Sequence, residues 1–251
     1  MESKIVMMVS IFGKNTYLVD LLGGITDFHN HILPGIDDGA KTVEESISLI
    51  KEFENIGINK FVATPHVMND YYPNTIETIE DAFKKLKSNL STSTHLDYSA
   101  EYMMDQNFTE IIENQNLLPI KDNKVLVEMS YFQPPININQ ILFNLQNNLF
   151  SPILAHPERY TYWHSRDLEK YKNIKSRGCN FQLNMLSLSN HYGKGIHKIA
   201  LRLIENDLID YISSDAHKLS HIENIKTIKI SKKHIKSLNR IINNGQRLFA
   251  N

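Results

Sequence analysis

The feature of this sequence that most restricts its fold is a regular alternation between short apolar runs and longer amphipathic stretches. Some of the short runs are apolar throughout, such as Val125–Val127 and Ile153–Ala155, as expected for strands that are buried on both faces. Strands that alternate with helices predict parallel βα units. We predict strands at Ile25–Phe28, Lys60–Thr64, Leu96–Glu101, Val125–Glu128, Pro152–Ala155, Asn180–Leu183 and Asp210–Ser213.

The stretches between these strands are predicted to be helices. Thr42 followed by Glu45 is typical of a capping box, and apolar residues then recur at helical spacing until Gly57. Seven βα units predict an α/β fold, a closed or nearly closed TIM-like barrel in a single domain, with a doubly wound open sheet as the alternative. Further helical patterns cover Ile76–Leu90, Ile138–Leu145, Ile196–Ile204 and the basic region after Ile222.

The barrel is predicted to occupy residues 25–251, after an N-terminal extension of residues 1–24. The apolar stretch Ile5–Phe12 in this extension is interrupted by Ser10 and is too short to span a bilayer. The extension also lacks the basic flank and the small-residue cleavage site of a signal peptide. We therefore expect no transmembrane segment, and a short surface helix that docks on the barrel or on a partner.

Charge and cysteine content narrow the functional classes. The formal net charge of −1 gives no overall attraction to nucleic acid or to acidic membranes, so no nucleic-acid partner is expected. Cys179 is the one cysteine of the chain, which makes an intramolecular disulfide impossible and fits a reducing, cytoplasmic location.

Residues that can bind metal ions follow nearly every predicted strand. Alternation along a strand places His29 and His31 on the same side, about 7 Å apart, where two imidazoles can hold one divalent ion. The carboxyl ends of parallel barrel strands meet at one mouth, where so many ionisable groups would be unfavourable without cations. Imidazole and carboxylate without thiolate favour Mn, Fe or Zn. The predicted ligands are His29, His31, Asp38, His66, Glu101, Glu128, His156, Asp215 and His217.

These motifs resemble the PHP superfamily (polymerase and histidinol phosphatase), and most closely its bacterial tyrosine-protein phosphatases of capsule and exopolysaccharide operons. The matching segments run in family order over about residues 25–220, and the first and the last are the most specific. The segments are Asp27–Ala40, Thr64–His66, Ala100–Tyr102, Leu126–Glu128, Ala155–Tyr160 and Ser214–His217.

The resemblance implies a distorted barrel of seven βα units, the PHP fold, with a centre of three divalent metals, manganese first among the candidates. It also implies a metal-bridging water as the nucleophile. The implied ligand groups are His29, His31, Glu101 and Asp215 for one ion, Glu101, Glu128 and His156 for the second, and Asp38, His66 and His217 for the third.

Arg159 matches a family arginine that contacts the phosphate, and a guanidinium can donate a forked pair of hydrogen bonds to a phosphoryl group. Its alternative role is a surface ion pair with Glu158. The sequence departs from the family at Lys218–His221, where some capsule phosphatases carry a further arginine. Lys218 or His221 is the candidate substitute, and the departure bears on substrate preference rather than on the metal centre.

The resemblance therefore implies a metal-dependent protein-tyrosine phosphatase, acting on the phosphorylated tail of a tyrosine kinase of polysaccharide synthesis. A cysteine-based mechanism is not expected, because Met185 stands six positions after Cys179, where an arginine would be needed. The alternatives are a small-molecule phosphatase of the same fold, such as one for histidinol phosphate, and a non-catalytic regulator that binds the kinase tail. The sequence leaves the oligomeric state open.

Overall fold

The computed structural model describes residues 15–90 and 94–250, which form a mixed α/β fold whose central strands run parallel. The strands are β1 Thr16–Tyr17, β2 Thr26–Asp27, β3 Lys60–Ala63, β4 His66–Val67, β5 His95–Tyr98, β6 Glu101–Met103, β7 Lys124–Glu128, β8 Ser151–Ala155, β9 Asn180–Asn184, β10 Tyr211–Ser213 and β11 Lys229–Ile230. The helices are α1 Val43–Glu54, α2 Ile76–Lys87, α3 Phe108–Glu113, α4 Ile138–Asn147, α5 Glu169–Ser176, α6 Lys194–Glu205, α7 Leu219–Lys226 and α8 Lys232–Leu248.

Every predicted strand is present, and the one predicted at Leu96–Glu101 is divided into β5 and β6. One parallel sheet contains six strands in the spatial order β10-β9-β8-β7-β6-β4. A second parallel sheet contains three strands in the order β2-β3-β5. Pro65 lies between β3 and β4, and proline has no N–H to continue a ladder. Strand pairing continues across the junction of the two sheets: the Ser99 N–H donates to the Ala63 carbonyl at 2.8 Å after the β3–β5 pair, and the Glu101 N–H donates to the Pro65 carbonyl at 3.0 Å before the β4–β6 pair.

The chain after β2 lies beside the chain after β10. Asn30 and Ala216 form a parallel bridge, the Asp215 N–H donates to the His29 carbonyl at 2.7 Å, and the His31 N–H donates to the Ala216 carbonyl at 3.0 Å. The first and the last strands of the parallel set are therefore neighbours. Both predicted site motifs, one near each end of the chain, are brought together by these bonds.

Apolar residues of the strands pack into a small cluster that α8 covers. The side chain of Phe28 packs against Tyr211 and Phe249, with ring centroids 5.7 Å apart in each case. Phe249 directly follows α8, so the end of the described chain covers a cluster formed by the strands. The buried members of this cluster are Phe28, Val62, Ile120, Leu126, Ile153, Ala155 and Tyr211.

The helices follow the predicted patterns, with two differences in detail. The Thr42 hydroxyl accepts a hydrogen bond from the Glu45 N–H, but the Glu45 carboxylate accepts from the Lys41 N–H rather than from Thr42, so the capping box is shifted by one residue. The helices α3 and α5 were not predicted, because each is short and has too few apolar residues for a clear helical period.

The expectation for residues 1–24 falls partly on residues 1–14, which lie outside the described residues. From Thr16 the chain forms β1, which pairs antiparallel with β11, and then a 3-10 helix at Leu18–Leu21. Leu18 and Leu22 are fully buried, so this segment contributes to the apolar core. Among residues 15–90 and 94–250, no helix combines the length and the apolar character needed to cross a bilayer.

Candidate metal centre

The carboxyl ends of the parallel strands bring all nine predicted ligands together. The ligand atoms form four overlapping groups, and within each group these atoms lie within 4.8 Å of one another. The groups are His31, Asp38, His66 and His217; His29, His31 and Asp215; His29, Glu101 and His156; and His66, Glu101 and Glu128.

His29 and His31 lie on one side of the chain after β2, as strand alternation predicts, and both are fully buried. Their Nε2 atoms lie 3.4 and 3.3 Å from the same oxygen, Oδ1 of Asp215. Two imidazoles and one carboxylate therefore converge on one point, which suits a divalent transition metal.

Glu101 lies at the middle of the cluster. Its Oε1 is 3.2 Å from Nε2 of His29 and 3.1 Å from Nε2 of His156, and its Oε2 is 3.1 Å from Nδ1 of His66. Each carboxylate oxygen thus faces a different set of imidazoles. A carboxylate in this position can bridge two cations, as the resemblance implies for Glu101.

Glu128 and Asp38 complete the cluster on the side of His66. Oε1 of Glu128 is 2.8 Å from Nδ1 of His66, whereas its other oxygen is 3.9 Å from Nε2 of His156. Oδ1 of Asp38 lies 3.3 Å from Nε2 of His217 and 3.6 Å from Nε2 of His66. Glu128 is therefore closer to His66 than to His156, the residue with which the resemblance groups it.

Two neighbours that sequence reasoning missed hold the buried histidines in place. Oε1 of Gln182 lies 2.7 Å from Nδ1 of His29, and Oδ2 of Asp37 lies 2.7 Å from Nδ1 of His31. Such contacts fix the orientation of an imidazole and leave Nε2 to the metal. Asp37 stands beside Asp38 in the sequence and could have been suspected, whereas Gln182 lies in a strand with no signal of its own.

Several buried polar atoms in the cluster lack hydrogen-bond partners, and this bears on whether cations fit the site. Within residues 15–90 and 94–250, five buried atoms that face another predicted ligand make no hydrogen bond of acceptable geometry, and Nδ1 of His156 makes none either. Buried polar groups without partners are costly, and a cluster of them at one point is rare. Cations held by these lone pairs would satisfy them, so the residues fit a metal centre. The five atoms that face another ligand are Nε2 of His29, Nε2 of His31, Nδ1 of His66, Oε2 of Glu101 and Oε1 of Glu128.

The electrostatics of the cluster match a site built for positive charge. Burial would raise the pKa of Asp215, but the facing imidazoles, His29 first, hold it well below its usual value. Burial would lower the pKa of His31, but the Asp37 carboxylate raises it to about 10. These shifts favour an ionised Asp215 and a protonated His31, and a cation that binds His31 would displace its proton.

Two of these residues occupy backbone conformations that side chains rarely adopt. His156 has φ of 34° and Asp215 has φ of 51°, both in the left-handed region. Strain of this kind is commonly stored at functional sites. Gly39 is also required, since a Cβ at this position would lie 2.0 Å from the carbonyl oxygen of His31. Gly39 therefore lets the loop that carries Asp37 and Asp38 approach the first ligand strand.

Arg159 lies beside the cluster and is not paired with Glu158. Its Nη1 donates to Oδ2 of Asp215 at 2.7 Å, so the proposed surface ion pair with Glu158 is replaced by a contact with a predicted ligand. Glu158 is fully buried, accepts hydrogen bonds from the Asn184 N–H and the Ser187 hydroxyl, and has its pKa raised to about 7 by burial.

The segment that departs from the family pattern also contacts the cluster. Nδ1 of His221 accepts a hydrogen bond from the His217 N–H at 3.3 Å, and the two rings lie 5.8 Å apart. Burial and the neighbouring His217 lower the pKa of His221 to about 4. His221 therefore supports His217 as a neutral imidazole and adds no positive charge for phosphate.

Aromatic residues that follow the ligand strands divide into two sets. Tyr102, Tyr160 and Trp163 are buried and pack in the apolar core. Tyr131 is 44% exposed and its ring lies 5.7 Å from that of His156, and the following residue, Phe132, is 94% exposed. Cys179 is 1% exposed and burial raises the pKa of its thiol to about 12, which is unsuited to a nucleophile.

Comparison with known proteins places this geometry in context. A family model described as "Capsular polysaccharide synthesis, CpsB/CapC" matches residues 25–245. The putative tyrosine-protein phosphatase CapC of Staphylococcus aureus is 28% identical over 235 residues, covering 90% of this chain and 92% of the relative. The tyrosine-protein phosphatase YwqE of Bacillus subtilis is 30% identical over 197 residues, covering 77% of each.

Solved structures agree on the fold. A crystal structure from a study of YwqE from Bacillus subtilis and CpsB from Streptococcus pneumoniae, described there as unique metal-dependent tyrosine phosphatases, matches with a TM-score of 0.72 and 25% identity over 89% of this chain and 91% of that chain. The phosphotriesterase homology protein of Escherichia coli matches with a TM-score of 0.53 and 11% identity, over 92% of this chain and 100% of that one. The second match shows a likeness of fold alone.

Proposed function

This chain belongs to the CpsB/CapC family of capsular polysaccharide synthesis, and we propose on that premise that it is a metal-dependent protein-tyrosine phosphatase. The observation that carries the proposal is the convergence of nine imidazole and carboxylate side chains at one mouth, with six of their buried atoms lacking hydrogen-bond partners among the described residues. The enzyme would hydrolyse a phosphoric monoester.

We propose that three divalent cations bind here, with manganese preferred and iron or zinc as alternatives. The supporting observation is that the ligand atoms form four overlapping groups rather than one compact set, with Glu101 shared by two of them. The ligands would be His29, His31, Asp38, His66, Glu101, Glu128, His156, Asp215 and His217. When bound, the cations would lower the pKa of water and neutralise the charge of the phosphoryl oxygens.

The protein's own residues bind and orient the substrate. Arg159 would bind the phosphoryl group with a forked pair of N–H donors, which a lysine cannot reproduce. Asp37 and Gln182 would hold His31 and His29 in the orientation that directs Nε2 inwards. A tyrosine phenolate, with a pKa near ~10, is a better leaving group than an alkoxide, so little help from a general acid is needed.

The substrate is proposed to be a phosphotyrosine protein, specifically the tail of a tyrosine kinase of polysaccharide synthesis. The partly exposed Tyr131 ring beside His156 supports a substrate that carries a phenyl ring. Because such a kinase uses ATP, we place the reaction in the cytoplasm. We further infer that the strands close into a distorted barrel of seven βα units, supported by the hydrogen bonds between His29, His31 and the chain after β10.

The deciding experiment compares two substrates on metal-stripped protein, with Mn²⁺, Zn²⁺ or Mg²⁺ added back. Hydrolysis of a phosphotyrosine peptide in preference to histidinol phosphate, restored by metal, is the expected result. A preference for histidinol phosphate would retain the metal centre and reassign the protein as a small-molecule phosphatase. Binding of the peptide without turnover under any metal would favour a non-catalytic regulator.

A further inference from the structure

The backbone of Arg159 is held in place, but its side chain is long and flexible. It ends a 3-10 helix at Pro157–Arg159, and its N–H donates to the His156 carbonyl at 2.9 Å. Within the described parts of the chain, its guanidinium donates one hydrogen bond, from Nη1 to Asp215, and the side chain is 19% exposed. One hydrogen bond does not fix the plane of a guanidinium, so something else must orient its remaining donors.

Two tyrosine rings contact this guanidinium. Its central carbon lies 4.8 Å from the centroid of the Tyr131 ring and 4.4 Å from the centroid of the Tyr192 ring, distances typical of cation–π contacts. The rings come from different parts of the fold, one from the loop after β7 and the other from the turn before α6. We call Tyr131 and Tyr192 the tyrosine pair.

Each ring of the tyrosine pair is itself anchored. The Tyr192 hydroxyl accepts a hydrogen bond from Nδ2 of Asn184 at 3.2 Å, and the same Nδ2 donates to Oδ2 of Asp215 at 2.8 Å. Tyr131 lies 5.7 Å from the His156 ring and 5.9 Å from the Tyr160 ring. The positions of both rings are thus tied to the metal-ligand cluster.

The chemistry of the guanidinium explains why rings suit this task. Its N–H donors lie in the plane of the group and point outwards along its edges, whereas a cation–π contact is an attraction to the face of the ring and needs no hydrogen bond to a lone pair. Aromatic rings can therefore hold the group without occupying the donors that a phosphoryl group needs. A carboxylate in their place would compete with the phosphate for the same N–H groups.

We propose that Tyr131 and Tyr192 are positioning residues that orient the Arg159 fork toward the phosphoryl group of the substrate. The proposal rests on the proposed phosphatase function and assigns these two residues a part in it. They act through Arg159 rather than on the reacting atoms. Removal of a ring would therefore weaken phosphate binding while leaving the ligand cluster assembled.

Tyr192 is the residue to test, because Tyr131 also contacts His156. In the full-length protein reconstituted with Mn²⁺, the Tyr192→Leu variant should raise KM for a phosphotyrosine peptide by about threefold to tenfold, with kcat within about twofold of wild type. The Kd for inorganic phosphate, measured by calorimetry, should rise by the same factor. Tyr192→Phe retains the ring and should restore both values to near wild type.

Coupling to Arg159 separates positioning from a general structural effect. In an Arg159→Met background, Tyr192→Leu should cause no further loss, because the group that it orients is gone. Tyr98→Leu is the matched control, since Tyr98 lies at the end of β5 and packs on Phe83 at 4.6 Å, away from the cluster. If Tyr192→Leu is not folded by circular dichroism, Tyr192→Met takes its place.

The proposal is overturned if Tyr192→Leu leaves KM and the phosphate Kd unchanged, or if its effect is as large in the Arg159→Met background as in wild type. A wild-type protein that binds phosphate but does not hydrolyse the peptide would contradict the phosphatase function alone, and the phosphate Kd of the variants would still decide the role of the tyrosine pair. A wild-type protein that binds no phosphate would overturn both.

Discussion

Replacing Asp37 by asparagine tests whether the residues behind the ligands control metal binding. The Asp37 side chain is 5% exposed and uses both oxygens. Oδ2 lies 2.7 Å from Nδ1 of His31 and accepts from the His66 N–H at 3.3 Å, while Oδ1 accepts from the Gly39 N–H at 2.9 Å. A carboxylate can accept in all three directions, but an asparagine side chain has one accepting oxygen and one donating nitrogen.

Either orientation of the new amide is unfavourable. With its oxygen toward His31, the NH₂ group faces the Gly39 N–H and that hydrogen bond is lost. With its nitrogen toward His31, it donates to Nδ1 and places the imidazole proton on Nε2, the atom proposed to bind metal. The change also removes a buried negative charge next to the proposed ligands, which would stabilise bound cations, so the affinity for metal should fall.

Loss of an outer contact of this kind typically reduces metal affinity by about 10-fold to 100-fold, which corresponds to about 1.4 to 2.8 kcal/mol. We expect a value near the upper end, because the contact is buried and the substitution disturbs three hydrogen bonds. The assay is calorimetric titration of metal-stripped protein with Mn²⁺, accompanied by the Mn²⁺ concentration that gives half-maximal phosphatase activity.

The matched control is Asp97→Asn, an exposed carboxylate on β5 that accepts a hydrogen bond from the Tyr98 N–H. Its metal affinity should equal that of wild type. An Asp37→Asn protein that binds Mn²⁺ within twofold of wild type would refute the reasoning that Asp37 orients His31. An equal loss in both variants would point to a general effect of charge.

Three further outcomes are expected. His29→Ala or Asp215→Ala should abolish turnover while circular dichroism shows a retained fold. The control is His95→Ala, which changes an exposed histidine and should remain active. Full activity in either site variant would refute the metal centre. Phe28→Ala should lower the free energy of unfolding by about 3 to 5 kcal/mol, because it removes a fully buried ring that packs against Tyr211. Denaturant titration measures this loss, and a value below about 1 kcal/mol would contradict the packing. Treatment with iodoacetamide at pH 8 should leave activity unchanged. Burial raises the pKa of Cys179 to about 12, so almost none of the thiol is ionised at pH 8. Rapid inactivation would show that the thiol is accessible.

Local patterns in the sequence determined the elements and the identities of the candidate ligands. Short apolar runs predicted the strands, and apolar residues at helical spacing predicted the helices between them. Both patterns depend only on residues that are close in the sequence. His29 and His31 were placed on one side by alternation within a single strand. Residues such as Glu101 and His156 were selected because each follows a strand, and strand ends in a parallel α/β fold meet at one edge.

The tertiary structure alone decided which residues face one another across long separations in the chain. Gln182 contacts His29 across 153 positions of the chain, and Arg159 contacts Asp215 across 56. The sequence offered Glu158, the neighbour of Arg159, only as an alternative partner. Neither contact leaves a local signal, since a glutamine in a buried strand reads like any polar residue. Such pairs depend on how whole strands and turns pack. The sequence thus determined which groups reach the mouth, while packing determined which partners orient them there.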